Sequence, residues 1–273
     1  MRIGLVLRRS SKAILSRDKR RRTKMPFKHK NIEYGLPHEQ YPQEEINRCI
    51  DIWKEVLLLQ SEPVAITLLF TKEDYEAYPA KETTVSMPYC VMVKQAAVKE
   101  KGIKSRQPHH RCDGATTALA LDPSTEKIES GHEYFSYKLY SSNAAARRMR
   151  EQVKSLHRMP VKTYGVAVVP LKDCSRTPDV VIVMTNAWQS MRIVQGYEYH
   201  MGKKPVIDMG AMQGMCSELT VSPYLTGELN ISVLCPSTRM LCRWSENDMG
   251  AGLPYELFQT VTSGIVATKP NYE

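Results

Sequence analysis

The chain has 273 residues, 38 Lys and Arg against 29 Asp and Glu, and seven cysteines. That length allows one large domain or two small ones with a sizeable core, and no run approaches the roughly 20 apolar residues needed to span a bilayer. The net charge of +9 would suit nucleic acid, but residues 1–25 hold 10 of the 38 basic residues and 1 of the 29 acids, leaving a body of 28 each.

The basic segment "MRIGLVLRRSSKAILSRDKRRRTKM" has too short an apolar stretch for a signal peptide and no small-residue cleavage site. It reads as a disordered tail, with Met25 a candidate start; a targeting peptide or a nucleic-acid-binding arm is the alternative. Residues 26–273 are expected to form a single mixed α/β domain. An odd number of cysteines without an export signal speaks for reduced thiols and a cytoplasmic location.

In chain order, "YPQEEINRCIDIWKEVLLLQ" (41–60) carries Ile46, Cys49, Ile50, Trp53, Val56 and Leu57 at helical spacing, behind a Pro and two glutamates that suit a first turn. "EPVAITLLF" (62–70) reads as a buried strand and "TKEDYEAYPAKETTVS" as polar connection. A helix is expected from about Tyr89, with Cys90 in its first turn and Gly102 as its stop signal. "SRQPHHRCDGATTALAL" is a loop leading to Cys112 near another helix start, with Asp113 as its cap. "SGHEYFSYKLY" alternates like a strand, and "SSNAAARRMREQVKSL" is a capped helix.

"YGVAVVPL" and "DVVIVMT" are strands joined by a polar link containing Cys174, and "NAWQSMRIVQGYEYHMG" is a helix following directly. "GAMQGMCSELTVSPY" reads as a loop around Cys216, and "ELNISVLCPSTRML" as a strand running into a loop. Strands alternating with helices indicate an α/β or mixed α+β fold. "CDGATTALALDP" (112–123) and "CSELTVSP" (216–223) suggest two weakly related halves, each with strand, helix, cysteine loop and strand.

Compact catalytic motifs are missing: no Walker loop, GxGxxG, HExxH, GxSxG or CxxC pair occurs. The candidates are dispersed cysteines. Cys90, Cys112, Cys216 and Cys235 all lie at ends of elements, where α/β proteins expose side chains and backbone N–H groups to ligands. Four thiolates so placed could hold an iron–sulfur cluster or a structural zinc. Against that, free cysteine is among the most buried residue types, and several can be inert; Cys49 and Cys242 read as core or strand continuation. His110, beside His109 and Cys112, is a candidate ligand or proton carrier, or half of an exposed loop pair. Asn186 and Gln189 open a helix after a buried strand, where ligand sites form, or simply cap it. Arg239 could grip a carboxylate or phosphate, or lie on the surface.

The series "CDGA", "PLKDCSRTPDVVIVMTNAWQSMRIVQG", "MCSELT", "CPSTR" and "ENDMGAGLP" resembles an archaeal and bacterial family, domain of unknown function 169. The likeness runs from about Pro63 to Leu257 and implies recurrent cysteines at Cys90, Cys112, Cys216 and Cys235. Ser237 and Thr238 stand where the family pattern implies a glycine. The resemblance carries no reaction with it.

The expectation is a metal- or iron–sulfur-cluster-binding protein with a four-cysteine site, a redox enzyme among its outcomes, taking a small molecule or a redox partner. The alternatives are a non-metal small-molecule-binding domain and a cysteine-dependent enzyme using His109, His110 or His200 as base. Nucleic-acid binding would be confined to residues 1–25.

Overall fold

The computed structural model describes residues 43–268; the basic segment 1–25 and the first part of the expected domain lie outside them. Among the described residues, no helix is long and apolar enough to cross a membrane.

A mixed α+β architecture is built on one seven-stranded sheet, ordered β2-β3-β4-β1-β5-β7-β6. The chain enters through α1 (Gln43–Leu57), passes β1 (Val64–Leu69), α2 (Lys72–Ala77) and β2 (Lys81–Glu82), and continues into α3 (Tyr89–Lys99), β3 (Ile103–Arg106) and α4 (Asp113–Ala118). Three helices follow before the sheet resumes: α5 (Glu126–Glu129), α6 (His132–Ser136) and α7 (Asn143–Leu156). Then come β4 (Gly165–Pro170), β5 (Val180–Thr185), α8 (Ala187–Met201), a π-helix (Gly214–Val221), α9 (Ser222–Thr226) and β6 (Asn230–Ser232). The chain closes with α10 (Pro236–Cys242), β7 (Met249–Pro254) and α11 (Tyr255–Thr268).

The sheet is antiparallel except for the short β2–β3 edge. One-sided antiparallel sheets alternate apolar and polar residues, yet β1, β4 and β5 are buried at every position. Helices cover both faces. On one, α1, α8 and α11 meet the strands in a single core containing Trp53, Tyr197 and Phe258. Trp53 is fully buried, lies against Phe258 and donates its indole N–H to Thr262 Oγ1 at 2.6 Å. Cys49 sits in this core, as its apolar stripe dictates, and Cys174, in a link read as polar, is buried there too. On the other face α3 packs on β1 and β4, and the π-helix on β5, β6 and β7.

The strand register reveals two related halves. β4 pairs with β1 from Val64↔Pro170 to Leu69↔Gly165, and β7 pairs with β5 from Val180↔Pro254 to Thr185↔Met249. β3 lies outside β4 and β6 outside β7. At the centre β1 and β5 pair as Val64↔Ile182, Ala65↔Val181 and Ile66↔Val180, a register that maps onto itself when the halves are exchanged. The equivalences are therefore β1 with β5, β3 with β6, and β4 with β7.

This corrects the alignment of Cys112 with Cys216 suggested by local sequence. In the fold Cys90 corresponds to Cys216, lying 13 and 14 residues ahead of β3 and β6, and Cys112 to Cys235, each capping the helix after its strand. The helices interlock across the halves: α3 packs on α10, and the π-helix on α4.

Other local expectations also change. "SGHEYFSYKLY" is not a strand but α6, entered through Gly131 at φ +76°. Tyr134 turns inward and Tyr140 packs beside it partly buried, while Phe135, Tyr137 and Leu139 stay exposed, so the alternation never becomes a buried strand face. The polar connection after β1 contains α2, capped by Thr71 and held by inward Tyr75. The cysteine loop at 214–221 is a wholly buried π-helix. α5, α6 and α7 form a small lobe around Ile128, Tyr134, Ala146 and Val153, fastened by Arg150 and Arg158 on Glu129.

Candidate functional site

Four segments from the two halves deliver Cys90, Cys112, Cys216 and Cys235 to one place. Cys90 is in the first turn of α3, Cys112 and Cys235 are the N-caps of α4 and α10, and Cys216 lies in the π-helix. Their proximity shows in how they act on each other. The buried Cys216 thiol is pushed well above the ordinary thiol range by desolvation and then by the thiols of Cys112, Cys235 and Cys90. The Cys112 thiol is pushed up to about 11, by burial first and then by Cys90 and Cys235. At the opening of the π-helix, Gly214 lies so close to the second half's loop that an added Cβ would come within 2.8 Å of the Cys235 amide nitrogen.

Backbone amides offset part of this cost. The N–H groups of Ala115 and Gly114 point at Cys112, that of Val91 at Cys90 and that of Ser217 at Cys216, each favouring the thiolate. The Cys216 thiol itself donates to the Gln213 carbonyl at 3.7 Å, and Cys235 Sγ lies 3.1 Å from Thr238 Oγ1. Thus one of the two residues departing from the family pattern, Thr238, touches the site with its hydroxyl.

A fifth thiol joins them. Cys242, read from sequence as core, ends α10 beside Cys90 because α10 packs on α3. Its hydrogen bond with Cys90 raises the Cys90 thiol, which burial raises further, and lowers that of Cys242; the ammonium of Lys94 lowers Cys242 again. Lys94 is held 3.3 Å above the Trp244 ring. A helix-packing contact between residues so far apart along the chain leaves no local sequence signal.

The remaining candidates are used by their own chain. Asn186 accepts from the Gln189 N–H and Gln189 Oε1 accepts from the Asn186 N–H, a capping box for α8. Gln189 Nε2 then donates to the carbonyls of Leu57 and Leu58. The Arg239 guanidinium donates to the carbonyls of Val233, Ser245 and Asp248, closing the loop before β7. His200 Nε2 shares a hydrogen bond with Ser263 in the α8–α11 layer, on the face away from the thiols. His110 is buried rather than half of an exposed pair, and burial brings its imidazole down to about 4. It is therefore neutral at neutral pH.

Two residues that sequence reading did not single out complete the surroundings. Tyr134 of α6 and Gln213 before the π-helix are buried together, with Gln213 Nε2 donating to the Tyr134 hydroxyl at 2.5 Å. Tyr89, beside Cys90, is tied to Thr220, which donates on to the Met215 carbonyl. Among the described residues, no three His, Cys, Asp or Glu side chains stand in an arrangement that would hold a metal ion as they are. The thiols converge without closing on a centre.

Comparison with known proteins agrees in extent with the residues that build the sheet and the thiol group. Uncharacterized protein MJ0308 of Methanocaldococcus jannaschii is 21% identical over 213 residues, covering 77% of this chain and 89% of that relative. No solved structure matches. The pattern of the DUF169 family, described as uncharacterised ArCR, matches residues 53–264, and the chain belongs to that family.

Proposed function

We propose that the protein binds a thiophilic metal centre, an iron–sulfur cluster or a zinc ion, through Cys90, Cys112, Cys216 and Cys235. The observation carrying this reading is the twofold relation of the halves, which places the same two cysteine positions from each around Cys216, one buried and one half-buried in either half. The Cys216 and Cys112 thiols hold their protons more tightly because of burial and of the neighbouring thiols, and a bound metal would reverse that balance. Four thiolates match the ligand set of an all-cysteine zinc site or of a four-iron, four-sulfide cluster, and backbone N–H groups directed at the sulfurs are a lever by which proteins tune such clusters. Binding would draw the thiols inward from their present separation. A cluster would supply electron transfer, with a redox partner; zinc would supply structure.

Purification without oxygen, followed by iron, sulfide and zinc determination and an optical spectrum, tests the proposal. One centre per chain is expected, lost equally in Cys90→Ser and Cys216→Ser. A protein without iron or zinc after reconstitution with either overturns it.

One observation favours a second reading, a cysteine nucleophile. Cys242, beside Lys94, is the thiol that its neighbours shift towards thiolate. That reading predicts that Cys242 is alkylated fastest in the metal-free protein, and a faster Cys112 or Cys235 removes it.

A further inference from the structure

The sulfurs of the group are not held alike. The Cys216 thiol donates to a carbonyl, that of Gln213. Such a bond needs the thiol proton, and a cysteine that ligates a metal has given its proton up. Cys235 differs because its partner is a hydroxyl, with Thr238 Oγ1 3.1 Å from Cys235 Sγ. A hydroxyl donates as well as accepts, so this contact survives when the sulfur becomes a thiolate and can only accept.

Thr238 is 1% exposed. A hydroxyl taken out of water costs free energy unless it finds a partner, and a valine would fill the same shape without that cost. Threonines elsewhere in the helices recover the loss by donating to the carbonyl four positions back, as Thr226, Thr262 and Thr268 do. Thr238 is the third residue of α10, so four positions back is Leu234, ahead of the N-cap and in a left-handed conformation at φ +67°. Among the described residues, the Thr238 hydroxyl meets Cys235 Sγ instead.

The sulfur is free to take that bond, since Cys235 caps α10 without accepting from the backbone N–H groups of the helix. The equivalent cysteine of the first half lacks the same neighbour. Cys112 is the N-cap of α4, and the third residue of that helix is Ala115. Two sulfurs that the fold makes equivalent therefore differ by one hydroxyl.

We propose that Thr238 donates its hydroxyl hydrogen bond to the Cys235 sulfur and so positions that cysteine as a metal ligand, making the two N-cap cysteines unequal. Its value for a metal centre rests on the reading given under Proposed function. Thr238 is a positioning residue acting through the sulfur: it fixes where Cys235 points and draws charge from the thiolate. Outer partners of this kind govern metal affinity by about 10- to 100-fold.

The test uses the full chain with Thr238→Val, which keeps the shape and removes the hydroxyl, and Thr238→Ser, which keeps the hydroxyl. Cobalt(II), in competition with a chelator, is the probe, read by affinity and by the energy of the sulfur-to-cobalt charge-transfer band. The urea unfolding midpoint is followed in parallel. Thr238→Val is expected to weaken cobalt binding by about 10- to 100-fold and to move the band to lower energy, because the Cys235 thiolate then gives up charge more readily. Thr238→Ser should restore both. Thr238→Ala, which only deletes atoms, reads the same way if the valine chain does not fold. A shifted midpoint with the band in place would mean a structural threonine, and the inference falls while the metal reading stands. Unchanged or tighter cobalt binding in Thr238→Val has the same consequence, tighter binding meaning that the hydroxyl accepts the thiol proton. A parent chain that binds no cobalt, iron or zinc removes the metal reading and this inference together.

Discussion

The halves of the sheet solve the same packing problem differently. In the first half, α3 is a regular helix lying over β4, where Val166 and Val168 are fully buried. In the second, the corresponding strand positions in β7 are Gly250 and Gly252, and the π-helix comes down directly onto them. An added Cβ at Gly252 would lie 2.1 Å from the Leu219 carbonyl oxygen. The wider π turn brings its backbone against the strand, and the missing side chains are what let it in. A duplicated frame thus tolerates quite different helices, provided the facing strand yields the volume.

The sharpest way to break this comparison is to give the second half the side chain of the first. Gly252→Val should cost more than about 4 kcal/mol, because backbone meets backbone and neither can move aside. Val168→Ala should cost about 2 kcal/mol, as an ordinary cavity. Urea unfolding of the two variants reads the contrast, and similar losses would remove the distinction between the faces.

The opposite face should treat the halves as one unit, since α1 enters ahead of the first half and α11 closes the second. Trp53→Ala removes the ring on Phe258 and the bond to Thr262, and is expected to cost about 3–5 kcal/mol in a single cooperative transition. Two separate transitions would mean that the halves unfold independently.

A smaller contrast lies at equivalent positions Ile103 and Asn230. Asn230 donates to the carbonyls of Asp208 and Glu218 and accepts from the Asp208 N–H, tying the segment ahead of the π-helix to β6. Buried Glu218 continues the tie, accepting from the Gly210 N–H and the Ser232 hydroxyl. Asn230→Ala should cost about 2 kcal/mol through carbonyls left unpaired, whereas Ile103→Val should cost about 1 kcal/mol or less. Denaturation midpoints decide, and equal effects would deny the network its role in placing Gln213 and Cys216.

Much of the fold was legible because it rests on local pattern. The apolar stripe of α1, the buried runs of β4 and β5, and the Asn186–Gln189 cap of α8 are all set by residues within a few positions of one another. The cysteine positions were legible for the same reason, as they mark ends of elements. What escaped was non-local. The π-helix carries no periodicity of its own, and Cys242, Tyr134 and Gln213 come near the thiols only through helix packing. Gln189 and Arg239 looked available because the carbonyls they donate to belong to distant or irregular backbone, whereas Asn186 is used by the local cap alone.

By itself, then, the sequence determined the mixed α+β class, the uneven placement of positive charge, and which thiols stand at element ends. Hydrophobic periodicity, formal charge and cap chemistry act over a few residues. Tertiary structure alone decided that the halves meet about a twofold register at β1 and β5, that Cys90 answers to Cys216 and Cys112 to Cys235, and that a tyrosine and a glutamine share their pocket. Strand pairing and helix docking join residues far apart along the chain, and burial is what lets the neighbouring thiols raise the Cys216 and Cys112 thiols.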